Sequence, residues 1–147
     1  MTVLIEPGVA ADAVAIAGIL TGWIDETDWM PRVHSPSSYL GFGQMLLATC
    51  DVTVARDGAV VGFLARQGAD IQAFYLAPGA RGQGLGTSLL DHVKAQVDML
   101  DLWTFQANAG ALLFYARHRF VEDQRTDGAE NDEKLPDVHM NWRAENG

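Results

Sequence analysis

An apolar run, Ile71 to Ala77, leads through Pro78 and Gly79 into "RGQGLGT", Arg81 to Thr87, and then into a helical stripe of Leu85, Leu89, Val93 and Val97. Glycine costs about 0.5–1 kcal/mol relative to alanine inside regular structure. Gly82, Gly84 and Gly86, crowded ahead of a helix, therefore mark a backbone that another group approaches closely. A strand, a glycine turn and an amphipathic helix in this order place the chain among layered folds that mix sheet and helix.

The remaining pattern agrees. "TVLIE" reads as a strand, and Ala13, Ile16, Ala17, Leu20, Trp23 and Ile24 recur at helical spacing. Trp23 is read as helix core. "DETDWMPRVHSPS" interrupts this helix, and Ser35-Pro36 opens a second one through Leu47 as N-cap and first position. "DVTVAR" and "AVVGFLAR" flank Asp57-Gly58, a tight hairpin turn whose two central residues are expected at positive φ. After the glycines come a strand "LDLWTFQ", a helix "AGALLFYARH" and two closing strands, "RFVEDQR" and "VHMNWR". The order is strand, two helices, three strands, helix, strand, helix, two strands: one mixed α/β (α+β) domain over residues 1–147.

A net charge of −9 argues against nucleic acid as a partner, since phosphate backbones need a basic face. Seven acidic and two basic residues fall between Glu122 and Asp137. That stretch reads as a solvated loop; the functional alternative is a field that gathers a cationic substrate. No apolar run approaches the roughly 18 residues of a membrane helix, and the amino terminus carries no secretory pattern. The single Cys50 heads an apolar strand as a small buried hydrophobe. A cytoplasmic location, with no membrane partner, is expected.

Three phosphate motifs compete for the glycine turn. A Walker loop needs Lys and then Ser or Thr after its last glycine, but Leu85 follows Gly84. A Rossmann fingerprint fails because Thr87 stands where its third glycine belongs. The third is R-x-x-G-x-G, with Arg81, Gly84 and Gly86. Its amides from Gly82 to Thr87 face an anion at a helix N-terminus, aided by the dipole. A pyrophosphate suits such a site without a basic cluster.

On these residues the sequence resembles the GNAT superfamily of acyl-CoA-dependent N-acyltransferases, whose pyrophosphate signature "RGQGLG" matches. "FYLAPGARGQGLG" is similar to that family's central strand and turn, and "LWTFQANAGALLFYARHRF" to its later strand-and-helix segment with Asn and Tyr. The resemblance implies a mostly antiparallel central sheet flanked by four helices, with acetyl-CoA as co-substrate. It implies that Arg81, Gly82, Gln83, Gly84, Leu85, Gly86 and Thr87 hold the coenzyme pyrophosphate. The main chain of Tyr75 and Leu76 would pair with the pantetheine arm, Asn108 would touch it, and Tyr115 would protonate the departing thiolate. Asn108 and Tyr115, seven residues apart on a helix, share one face.

The implied reaction moves an acetyl group to a primary amine of a small molecule, by direct attack through a tetrahedral intermediate. The alternative is a non-catalytic acyl-CoA sensor on the same fold. Trp29, Met30, Arg32 and His34 are the candidate acceptor residues. The base is left open among Asp70 and Gln72 on the central strand, Asp25 and His34 between the first two helices, and a water relay. His34, His92, His118 and His139 lack metal-ligand spacing, so no metal is expected. Arg117 at the end of the last helix reads as a solvated cap. Arg119 stands where the family usually has glycine in a helix-ending turn, which puts that turn's geometry in question. The oligomeric state stays open, a homodimer included.

Overall fold

The computed structural model describes residues 3–31 and 35–146. Arg32 and His34 lie outside the described residues. In chain order the elements are β1 (Leu4–Pro7), α1 (Ala13–Glu26), α2 (Pro36–Thr49), β2 (Asp51–Asp57), β3 (Ala59–Gln67), β4 (Asp70–Leu76), α3 (Leu85–Lys94), β5 (Met99–Phe105), α4 (Ala109–Arg117), β6 (Val121–Thr126) and β7 (Asp137–Arg143). The seven strands form one sheet in the order β1-β2-β3-β4-β5-β7-β6. Every neighbouring pair is antiparallel except β4 and β5.

Alternation along the strands sends side chains to two helical layers. On one face Leu64, Ile71, Leu100, Leu102, Val138 and Met140 pack with Leu90 and Val93 of α3 and Tyr115 of α4. On the other, Val54, Phe63, Ala65 and Ala73 pack with Ile16 and Ile19 of α1 and Leu46 of α2. Ser35 caps α2 as expected, its Oγ accepting the Ser38 amide at 3.3 Å. Leu85, Leu89 and Val93 form the buried stripe of α3. That helix ends at Lys94, however, so Val97 lies beyond it and reaches the same core after a turn closed by Gln96 on Val93.

Three further expectations need correction. At the β2–β3 turn only Gly58 has positive φ, +73°, and Asp57 pairs directly with Ala59. The strands absorb their twist in a nearby bulge at Ala55/Arg56 instead. Cys50 is the C-cap of α2, half-buried, rather than the head of a strand. Asp25 belongs to the last turn of α1, not to the loop after it. The acidic stretch between β6 and β7 is the exposed loop expected, and it is held by contacts of its own. A Cβ on Gly128, at φ +83°, would collide with the Leu135 carbonyl oxygen, and Asn131 donates to that carbonyl at 2.7 Å.

Two irregularities of β4 create the site. Ala73 pairs with Ala65 and Ile71 with Arg66, so Gln72 is an extra, bulged residue. Bulges re-aim side chains next to active sites. The parallel pairing of β4 with β5 covers only Asp70↔Asp101 and Ile71↔Leu102. Past Ile71 the strands part, while β5 stays paired with β7 through Phe105. The flank of β4 facing β5 is therefore left without a ladder partner, an open edge for an extended group.

Candidate active site

The glycine turn is an open cradle. Gly82 and Gly84 sit at φ +75° and +79°, and a Cβ on either would meet nothing within 4 Å. Their glycines serve the backbone angle, which other residues adopt at a cost. Gly86 has a different purpose: its Cβ would stand 3.3 Å from the Phe114 ring, so it lets α3 close on α4. Gly84 caps α3, and Ser88 donates the first bond back to its carbonyl at 3.0 Å. The amides of Leu85, Gly86 and Thr87 precede that bond and so begin the helix without an upstream carbonyl partner. Arg81 ties this turn to its surroundings. Its guanidinium pairs with Glu26 and donates to the Leu76 carbonyl at 3.1 Å, which leaves that carbonyl one lone pair for a second donor. Gln83 folds back onto the Gly79 carbonyl at 3.0 Å.

Two cavities flank the parted strands. One of about 380 Å³ is bounded by Tyr75, Leu76, Arg81, Gly86, Asn108, Phe114 and Tyr115. The other, of about 390 Å³, lies on the α1–α2 face and is bounded by Trp23, Met30, Tyr39, Phe42, Gln72, Tyr75, Phe105, Asp132 and Glu133, among others. A cleft of about 90 Å³ between β4 and β5 shares walls with both. Tyr75 and Trp23 line all three, their rings 5.2 Å apart. Trp23 is thus a cavity wall rather than core, a role that helical spacing alone could not separate from burial.

Asn108 caps α4, its Oδ1 accepting the Ala111 amide at 3.1 Å. Tyr115, 8% exposed, lines both the cleft and the first cavity. Burial, with the neighbouring Tyr75 as a second cause, pushes its phenol well above the ordinary value. Burial, then the Glu133 charge, pushes Tyr75 up to about 12. Both phenols hold their protons at neutral pH and present O–H donors. Among the acceptor candidates the structure separates two. Met30 lines the α1–α2 cavity, whereas Trp29 lines a separate pocket with Trp23, Glu26 and Asn108 and makes edge contacts with Trp23 and Phe105, both at 5.8 Å.

A polar cluster on the face away from α3 and α4 reaches the cleft through Gln72. Gln72, which lines the cleft and the α1–α2 cavity, donates to Asp70. Burial, and then the Asp101 carboxylate alongside, raise Asp70 to about 6. His139 bridges Asp123 at 2.7 Å and Asp101 at 3.4 Å. Burial works against its charge, but the two carboxylates outweigh that and raise it above its ordinary value. Sequence reasoning placed Asp70 on the right strand without choosing it. Its partners Asp101 and His139 come from strands adjacent only in the fold. No group of three or more His, Cys, Asp or Glu among the described residues is arranged to hold a metal ion. None of the described helices is long and apolar enough to cross a membrane.

Comparison with known proteins places this geometry. Apo-form YjaB from Escherichia coli superposes with a TM-score of 0.80 at 20% identity, covering 97% of this chain and 98% of that one. Ribosomal-protein-alanine N-acetyltransferase from Brucella melitensis gives 0.74 at 21%, over 95% and 99%. A GNAT superfamily phosphinothricin acetyltransferase from Sinorhizobium meliloti, solved with AcCoA, gives 0.73 at 19%, over 97% and 89%. At such identities the likeness is one of fold. No curated protein sequence matches the chain. A family model described as acetyltransferase (GNAT) domain matches residues 43–122, more than half of the chain, from α2 through the glycine turn and α4 into β6. The chain belongs to the GNAT acetyltransferase family.

Proposed function

We propose that residues 1–147 act as one acyltransferase domain that moves an acetyl group from acetyl-CoA to the primary amine of a small molecule. The observation that carries this reading is the meeting of two cavities at the parted strands, with the Tyr115 phenol on one side and Gln72, bonded to Asp70, on the other. The cradle fits the coenzyme: Gly82 and Gly84 leave open space at a helix N-terminus, where a pyrophosphate is favoured by amides and dipole. Asn108 and the free flank of β4 at Tyr75 and Leu76 would hold the pantetheine. Bound there, acetyl-CoA supplies an electrophilic thioester carbonyl.

The chain's own residues supply orientation and proton control. The α1–α2 cavity delivers the amine to the cleft, where proximity replaces a bimolecular encounter. Asp70 lies behind Gln72 rather than on a cavity wall, so the proton that the ammonium must lose before nitrogen can attack reaches it by a water relay. Tyr115 donates its O–H to the sulfur as the carbon–sulfur bond breaks and recovers a proton from solvent. The burial that raises this phenol also raises a thiolate beside it. Cys50 lines none of the cavities described, so the geometry favours direct transfer over an acylated thiol.

The test is release of coenzyme thiol from acetyl-CoA, with and without a panel of primary amines. An enzyme releases thiol in proportion to amine. A coenzyme sensor would show a thermal shift with acetyl-CoA but no amine-dependent release, and that result would overturn the proposal.

A further inference from the structure

The α1–α2 cavity has a composition more specific than its size. Its body is aromatic, with Trp23, Tyr39, Phe42, Tyr75 and Phe105 around about 390 Å³, a volume in the range of small-molecule sites. Against that body stand two carboxylates, Asp132 and Glu133, and the described lining holds no Lys, Arg or His.

Those carboxylates are set in place by the loop that carries them. Gly128 lies against the Leu135 main chain with no room for a side chain. Asn131 donates to the Leu135 carbonyl and, at 3.2 Å, to Asp137, and the Leu135 amide returns a bond to Asn131 at 3.2 Å. Lys134, the nearest cation in sequence, is turned away to the Ala129 carbonyl at 2.8 Å. Asp132 and Glu133 are in no ion pair among the described residues. The loop thus offers uncompensated negative charge beside an aromatic cavity.

Building on the acetyltransferase reading, we infer that the acceptor is an arylalkyl primary amine without a carboxylate: an aromatic ring on a short aliphatic arm ending in an ammonium. The ring fills the aromatic body, and the carboxylates draw the ammonium in. A free aromatic amino acid would bring its own carboxylate against Asp132 and Glu133. A polyamine would set its further ammonium groups among the rings, where cation–π attraction offsets only part of their desolvation. A peptide would bring main-chain amides and carbonyls that this lining leaves unpaired.

Four probes distinguish these classes in the thiol-release assay: 2-phenylethylamine, phenylalanine, spermidine and a short peptide with a free amino terminus. The expected kcat/KM for 2-phenylethylamine exceeds that for phenylalanine by about 100-fold, as like-charge juxtaposition costs several kcal/mol, and exceeds the other two as well. Glu133→Gln should raise KM for 2-phenylethylamine several-fold, with the loss in KM rather than kcat and with KM for acetyl-CoA unmoved. Faster turnover of spermidine, the peptide or phenylalanine overturns this inference and leaves the acetyltransferase reading standing. So does a Glu133→Gln enzyme with unchanged KM for 2-phenylethylamine. Acetyl-CoA binding with no thiol release from any probe overturns this inference, and the acetyltransferase reading falls with it when the wider panel of primary amines is silent too.

Discussion

The Phe120 amide donates to the Tyr115 carbonyl at 3.0 Å, and the two rings stand 5.3 Å apart. Between them Arg119 lies at φ +69° and donates its amide to Ala116 at 3.1 Å. This is the Schellman closure of a helix, complete with its apolar contact, and it ordinarily uses glycine at the left-handed position. The chain keeps the turn and accepts the strain of a side chain. Arg119→Gly should therefore stabilise the protein by about 1 kcal/mol, visible as a higher urea midpoint with unchanged slope. Destabilisation would show that the arginine side chain holds the turn.

The same turn anchors Tyr115, whose role is in the chemical step. Tyr115→Phe keeps the ring and its contacts with Phe74, Phe114 and Phe120. Acetyl-CoA affinity should hardly move, while kcat at saturating acetyl-CoA falls by about 10²-fold, the low end for loss of a general acid, because a thiolate leaves readily. Wild-type turnover in this variant would return Tyr115 to the core.

The glycine cradle is tested by Gly84→Val. In the free protein an added Cβ meets nothing within 4 Å, so the expected effects are backbone strain at φ +79° and obstruction of an anion. For wild type, acetyl-CoA at about 100 times its Kd should add about 2.7 kcal/mol of stability, read as a thermal shift. The variant should lose that shift, and an undiminished one would place the coenzyme elsewhere.

Asp70 links pH to stability and to rate with opposite signs. Its ordinary value is 3.8 and the fold raises it to about 6. Between those values the folded chain holds a proton that the unfolded chain has lost, so this group makes stability fall as pH rises through that window. Asp70→Asn should be more stable than wild type above pH 6, by about 1 kcal/mol once solvent screening is allowed for. The difference should vanish below about pH 4. As the proton acceptor, Asp70 gives wild type a rate that rises with pH through about 6. The Asn variant should lose that limb and about 10²-fold in kcat. A variant with an unchanged limb excludes Asp70 as the base.

Much of the fold was legible because its cues are local. Ser35 and Asn108 announce helix starts, Gly58 a hairpin, and Leu85, Leu89 and Val93 a buried stripe. The cradle was legible for the same reason, since a helix N-terminus and its glycines are contiguous. What sequence could not supply are relationships across the sheet. The bulge at Gln72 and the short β4–β5 pairing follow from register, which no single segment carries. Asp12 and Arg56 form a two-bond ion pair 44 residues apart, at 3.0 Å for each bond. Asp127-Gly128 repeats the turn dipeptide of Asp57-Gly58, and φ at Gly128 is +83°, but the contact of Gly128 with Leu135 is not carried by any dipeptide. Trp23 shows the limit of periodicity: the spacing that buries a helix face also points a ring into a cavity.

Direct transfer at the parted strands is the central claim, and single-turnover rapid quench with intact-protein mass spectrometry tests it most directly. Excess protein is mixed with acetyl-CoA, first alone and then with 2-phenylethylamine or whichever amine the panel selects. No acetylated protein is expected in the absence of amine, and with amine one acetylated product for each thiol released. An acetyl-protein that forms without amine and decays when amine is added would contradict direct transfer.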